Sequence, residues 1–161
     1  MANEELRVYE THTLWLLGEF DANLRAMSPE LLVAPSPVHL EGNNLLAIAK
    51  HAVGVTRAYL LGMACGQPAT RDRSTEFTAT AAESAAVLAS LEELLSQIPK
   101  ALATIDFSLL DVPFVPERSL YGTGELREMT PRDAIVNNIR HLGIHLGELR
   151  LTRSLLEARH V

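Results

Sequence analysis

"NNIRHLGIHLGELRLTRSLLE", residues 137–157, places His141 and His145 four residues apart in a leucine-bearing, helix-like stretch. On an α-helix, residues i and i+4 differ by about 40° and about 6 Å of rise, so both rings can reach one ion. The spacing alone is permissive, because such pairs also arise by chance in a chain with six histidines. Leu142 follows His141, so the glutamate of the HExxH zinc-protease motif is missing.

The same stretch belongs to a long predicted final helix with a clear start. In "TPRD", Thr130 is suited to the N-cap, Pro131 to the first helical position and Asp133 to the third, where a carboxylate faces unpaired N–H groups. We expect the helix to run to about Arg159. Its predicted buried stripe consists of Ile135, Asn138, Leu142, Leu149, Thr152 and Leu156. The histidine pair lies on or beside this stripe, where polar groups need partners.

Two earlier helices are predicted from apolar residues at steps of three and four. The first spans residues 3 to about 27 and ends at the Ser-Pro pair 28–29. The second has Asn43 or Asn44 as its N-cap and Gly66 as its C-terminal stop. Three aromatic residues at helical spacing are interpreted as core residues: Trp15, Phe20 and Tyr59.

A further helix is predicted to follow the capping box formed by Thr80 and Glu83, with Pro99 kinking or ending it. No segment alternates strictly enough to require a sheet; "LLDVPFVP" at 109–116 comes nearest, and its prolines argue against a strand. The predicted fold is therefore all-α, a four-helix bundle. Its connections of about 15, 15 and 25 residues exceed those of a simple up-down bundle, which indicates crossovers, a lid or a binding loop.

Composition limits the classes of protein that fit. At 161 residues the chain suits a single domain, 1–161, with a sizeable core. No run approaches the roughly 18 apolar residues of a membrane span, and "MANEELRVYE" is unlike a signal peptide. A net charge of −6 without a basic cluster argues against a nucleic-acid partner, and the single cysteine, Cys65, suits a reducing compartment. We expect a soluble, cytoplasmic protein.

His51 is the best candidate partner for the pair, because it interrupts the apolar helix "LLAIAKHAVGVTRAYL". Three histidines from two helices would leave a coordination position for water or substrate, as in catalytic metal sites. The alternatives are that His51 is a hydrogen-bonded core histidine and that His141 and His145 are a solvated pair. The segment "RDRSTEF" at 71–77 is interpreted as a solvated ion-pair cluster or as an anion-contacting rim.

Three stretches together resemble the DinB-like superfamily of four-helix, metal-binding proteins: "EGNNLLAIAKHAVGVTRAYLLG", "RDRSTEF" and "TPRDAIVNNIRHLGIHLGELRLTRSLL". That group includes bacterial thiol-dependent S-transferases and the mycothiol-dependent maleylpyruvate isomerase. The resemblance implies that His51, His141 and His145 are metal ligands. It also implies a divalent ion such as zinc, nickel or manganese.

The resemblance favours a thiol-dependent S-transferase that acts on small electrophiles with a low-molecular-weight thiol. Two alternatives stay open, a metal-dependent hydrolase in which Glu148 is a candidate base or supporting residue, and a non-catalytic, metal-stabilised interaction module. Exposed apolar loops and an alanine-rich helix favour a homodimer. The apolar residues of 106–129 must be covered, either as a lid over the bundle or by a second subunit.

Overall fold

Helices make up most of the chain in the computed structural model, which describes residues 4–39 and 41–159. The elements are α1 Glu4–Arg25, α2 Pro29–Leu32, α3 Leu45–Thr56 with a π-helical continuation Arg57–Ala64, α4 Arg73–Glu76, α5 Ser84–Leu102 and α6 Pro131–Arg159. Within the described ranges no strand forms, and Phe114 and Met129 make only an isolated antiparallel bridge. The all-α prediction is confirmed. The predicted start of the first helix, position 3, lies outside the described residues.

The two helices at the ends of the chain run parallel. Arg132 near the start of α6 pairs with Glu5 near the start of α1, and Arg153 near the end of α6 donates to Asn23 near the end of α1 over 3.0 Å. Polar contacts at both ends therefore fix the register between these helices.

The two middle helices, α3 and α5, are also parallel. Lys50 pairs with Glu83 at 2.6 Å, and seven residues further along, Arg57 pairs with Glu93 at 2.7 Å. Because parallel neighbours begin at the same end of a bundle, the connection 65–83 must return along its length. The predicted long crossover is found in this connection.

The core draws on all four long helices. All six residues of the predicted α6 stripe are buried. In α1 the buried side chains are Thr13, Leu16, Leu17, Phe20 and Leu24. The interpretation of Trp15 as a core residue is wrong, because at 3.6 residues per turn it lies opposite this face, and it is 54% exposed. Among the described residues, no helix combines the length and hydropathy needed to cross a membrane.

The helices begin where side chains can satisfy free backbone N–H groups. The Asn44 side chain accepts the N–H of Ala47 at 2.8 Å, which makes Asn44 the N-cap of α3. Thr80 and Glu83 form the predicted capping box before α5. At the start of α6, Asp133 accepts the N–H and hydroxyl of Thr130, as expected.

Two helices depart from the predicted form near their C-terminal ends. The second predicted helix changes from α to π geometry at Arg57, and then stops as expected near Gly66, whose φ is +66°. Pro99 does not end α5, which continues to Leu102. Ile98, Ala101 and Leu102 are buried around it, so core packing keeps this last turn helical.

Candidate metal centre

Helices α3 and α6 bring His51, His141 and His145 together. One ring nitrogen from each lies within 4.8 Å of the others. The Nε2 atoms of His51 and His141 are 2.9 Å apart, and the centroids of the three rings are 4.4 to 5.0 Å apart. The three histidines selected from the sequence therefore share one site.

The placement of these rings follows from their helices. His51 is only 3% exposed, because it lies in the middle of an apolar α3. His141 and His145 are half-buried at the edge of the α6 stripe, one turn apart. Two helices thus contribute one deep and two shallower nitrogen donors.

A buried carboxylate fixes the orientation of His51. Oε2 of Glu76 lies 2.6 Å from Nδ1 of His51, and the Arg71 guanidinium donates to both oxygens of Glu76, at 2.6 and 2.8 Å. All three side chains are at most 5% exposed. The interpretation of "RDRSTEF" as a solvated ion-pair cluster is therefore wrong for Arg71 and Glu76.

The charge state of Glu76 suits this role. Burial by itself would raise the pKa of the carboxyl, but the hydrogen bonds from Arg71 and His51, together with their charges, outweigh it and leave the pKa below its ordinary value. An ionised Glu76 accepts the Nδ1 proton of His51. In this tautomer the lone pair of Nε2 is free and faces the other two histidines, as a metal ligand requires.

His145 has a similar arrangement nearer the surface. Its Nδ1 lies 2.8 Å from Oε2 of Glu148, one turn later on α6. This contact leaves Nε2 of His145 for the shared site. Glu148, a candidate base in the sequence, is thus in direct contact with a candidate ligand.

The third ring, His141, is held in its neutral form. Burial lowers its pKa to about 4, with further lowering by the charges of His145, His51, Arg71 and Arg140. At pH 7 the imidazole is neutral and keeps a free lone pair. A donor set of three imidazoles, two of them supported by carboxylates, fits a first-row divalent cation such as zinc.

A glycine allows Glu76 to reach His51. A methyl group on Gly54 of α3 would lie 2.8 Å from Cδ of Glu76 and closer still to Oε1. Only glycine lets the carboxylate approach the helix backbone this closely. Sequence reasoning missed both Glu76 and Gly54 as site residues; the only signal was an acidic residue in a segment already matched to the family.

Comparison with known proteins identifies the family. The sequence model of the DinB superfamily matches residues 13–149, which include all three histidines, Glu76 and Glu148. The chain belongs to the DinB superfamily. No curated protein matches it. Family membership supports the expected all-α fold and the three-histidine site, and it assigns no substrate.

Beside the three histidines of this DinB-superfamily protein lies a cavity of about 560 Å³ that His141 helps to line. The π-helix contributes Tyr59, which stacks on Tyr121 of the connection 103–130 with ring centroids 6.4 Å apart. Tyr59, which follows His51 in the chain, and Asp133, which precedes His141, both line this cavity. Because His51 also faces His141, α3 runs antiparallel to α6. The cavity is large enough for a small-molecule reactant next to the histidines.

The chain's own thiol is not part of this site. Burial raises the pKa of Cys65 to about 12, so the thiolate is essentially absent at neutral pH. Cys65 does not line the cavity beside His141.

Proposed function

We propose that this DinB-superfamily protein is a metal-dependent S-transferase that joins a low-molecular-weight thiol to a small electrophile. The observation that supports it is the cluster of His51, His141 and His145 beside a cavity of about 560 Å³. Three protein ligands suit a catalytic rather than a structural metal site, because a fourth position stays available to a reactant.

A divalent ion held by three neutral imidazoles keeps its positive charge and can lower the pKa of a bound thiol. The protein's residues prepare the site for that ion. Glu76 and Glu148 orient His51 and His145 through their Nδ1 atoms, and burial keeps His141 neutral. In this proposal Glu148 is a positioning residue, because Oε2 already accepts from His145.

The reaction is a substitution at carbon. The thiol loses its proton to solvent, its sulfur forms a bond to the electrophilic carbon, and the leaving group departs with the electron pair of the broken bond. Cys65, with a pKa of about 12, does not supply the thiolate, so the nucleophile comes from a small-molecule thiol. The cavity beside His141 offers room for such a molecule next to the proposed metal ligands.

The first test is the metal content of tag-free protein, measured by mass spectrometry after incubation with zinc, nickel or manganese. We expect about one ion per chain in the parent, and loss of the ion in His51→Ala, His141→Ala and His145→Ala. The matched control is His12→Ala, since His12 is an exposed histidine on α1. Circular dichroism checks that each variant stays helical.

The second test is turnover of 1-chloro-2,4-dinitrobenzene with and without cysteine as the thiol. The proposal predicts product only with thiol, and loss of enzymatic product in the three histidine variants. Cleavage of an ester substrate without thiol would replace the proposal with a hydrolase. If the protein binds metal but turns over none of a panel of thiols and electrophiles, the non-catalytic, metal-stabilised interaction module replaces the proposed transferase. A parent that stays metal-free in all three incubations contradicts the proposed function altogether.

A further inference from the structure

The cavity beside the histidines is basic, although the protein is acidic. Over the whole sequence, Asp and Glu outnumber Lys and Arg by 20 to 14. The cavity reverses this balance, since four arginines and two carboxylates line it: Arg71, Arg73, Arg127, Arg140, Glu128 and Asp133. Such a local reversal produces a positive potential in a concave site, which attracts anions.

Three of these arginines have no carboxylate partner among the described residues. Arg71 is bound to Glu76. By contrast, Arg73 lies over the Phe77 ring with its Cζ 5.5 Å from the centroid, and Arg140 donates only to the side-chain oxygen of Asn137, at 3.4 Å. Arg127 has no salt bridge within the described ranges. Their guanidinium groups therefore remain able to bind an anion.

One of the two cavity carboxylates is already engaged. Asp133 accepts the backbone N–H and the hydroxyl of Thr130 at the start of α6, and these hydrogen bonds hold the pKa of its carboxyl below the ordinary value. Its oxygen is held at the helix terminus, but its negative charge remains and offsets part of the arginine charge. The cavity keeps a net excess of positive groups even with Asp133 and Glu128 ionised.

The unpaired arginines come from three separate elements: α4, the connection 103–130 and α6. Arg73 reaches the connection, where its Nη1 lies 3.6 Å from the position that a Cβ on Gly122 would take. Arg140 directly precedes His141 in the sequence. All three arginines are exposed, so solvent screens their mutual repulsion and leaves their guanidinium groups accessible to a ligand. A planar guanidinium matches a carboxylate in two parallel hydrogen bonds.

We propose that this cavity binds the carboxylate groups of an anionic small molecule, which is one of the two reactants at the histidine site. Anion binding itself needs no metal. Only the claim that the bound anion is a reactant rests on the proposed function. Tyr59 and Tyr121 form a wall that limits the size of the ligand. The arginines, rather than the histidines, determine that the substrate class is carboxylate-bearing.

The probe is succinate, with succinamide as the uncharged molecule of similar shape, and binding is measured by calorimetry. We expect saturable binding of succinate and none of succinamide. Arg127→Gln and Arg140→Gln should each weaken succinate binding by about tenfold, because each removes one charged fork. Arg25→Gln is the control, since this exposed arginine pairs with Asp21 and Glu92 outside the cavity and should leave binding unchanged.

The same titration on His51→Ala separates this inference from the proposed function. Succinate binding that persists in that variant while metal and turnover are lost supports the anion site independently of the metal. If the parent does not bind succinate, or if the two cavity variants bind it as the parent does, the inference is wrong whether or not the protein proves to be a transferase.

Inhibition of the transfer reaction identifies which reactant carries the carboxylate. Succinate that competes with the thiol assigns the arginines to the thiol, and succinate that competes with the electrophile assigns them to the electrophile. Turnover unaffected by saturating succinate would overturn the placement of the anion at the reaction site.

Discussion

At the residue scale, the buried contact between Glu76 and His51 distinguishes this site from a chance group of histidines. A carboxylate 5% exposed loses its solvation, and here that loss is offset by the two hydrogen bonds from Arg71 and the one from His51. Metal-binding histidines usually have such a partner on the second ring nitrogen, and its loss typically lowers metal affinity 10-fold to 100-fold.

Replacement of Glu76 by glutamine tests this contact. Glu76→Gln keeps the shape but removes the negative charge, so Arg71 is left buried without its counter-ion and His51 loses its anionic acceptor. We expect metal affinity to fall on the order of 10-fold to 100-fold. The free energy of unfolding should fall by about 3 kcal/mol. Competition with a chelator measures the affinity, and urea denaturation of the metal-free protein measures the stability.

Glu93→Gln is the matched control, because Glu93 also pairs with an arginine, Arg57, but with its side chain 52% exposed. Exposed pairs contribute about 0–1 kcal/mol, so this variant should behave nearly as the parent does. Equal losses in both variants, or parent-like metal affinity in Glu76→Gln, would show that Glu76 does not orient His51.

The three histidines could be selected from the sequence because imidazoles that interrupt apolar helices are visible in the pattern. Glu76 could not be selected in this way, since "RDRSTEF" has the composition of a solvated turn. Its burial depends on how the four-residue helix α4 packs on α3, and local sequence does not encode that contact. The alternative interpretation of "RDRSTEF" as an anion-contacting rim included Arg71 and Arg73 of the cavity, but Arg127 and Arg140 could not be added from the sequence because they come from other elements.

At the element scale, the close approach of α4 to α3 depends on Gly54. In an exposed helix, alanine is preferred to glycine by about 1 kcal/mol. At this position an added methyl group meets the carboxylate of Glu76, which cannot move aside freely because Arg71 and His51 both hold it. The packing cost therefore exceeds the gain in helix propensity.

Gly54→Ala should lower metal affinity about tenfold although it changes no ligating atom, because it displaces the partner of His51. Thermal unfolding of the metal-free variant should also occur at a lower temperature than that of the parent. Gly18→Ala in α1 is the control, since no atom lies within 4 Å of the added methyl group. That variant should be neutral or stabilised by up to about 1 kcal/mol. A stabilised Gly54→Ala with normal metal affinity would mean that α4 moves away without consequence.

Helix starts were predictable and the interior irregularities were not, for a physical reason. Asn44, Thr80 with Glu83, and Thr130 with Asp133 satisfy N–H groups within a few residues of themselves, so the signal is local. The π-helix from Arg57 and the helical turn after Pro99 depend on packing against distant helices. Sequence patterns contain little of that information.

At the scale of the whole molecule, the histidine site joins helices that are far apart in sequence. His51 and His141 are separated by 90 positions, and α3 and α6 each pack on other helices of the core. The core itself contains buried side chains from every long helix, so we expect the fold to persist without the ion. A bound ion adds a further link between two helices that are already packed together.

Removal of the metal should therefore leave a folded but less heat-resistant protein. An ion at 100 times its dissociation constant that binds only the folded state adds about 2.7 kcal/mol. For a chain of this length, that corresponds to a rise in Tm of about 5–11 °C. Circular dichroism before and after chelation should show equal helical signal at 20 °C, and scanning calorimetry should show the shift, which the His141→Ala variant should lack. If chelation abolishes the helical signal, the ion is required for folding and the core is not sufficient; if Tm does not change for the parent, the three histidines do not bind the ion in the folded state.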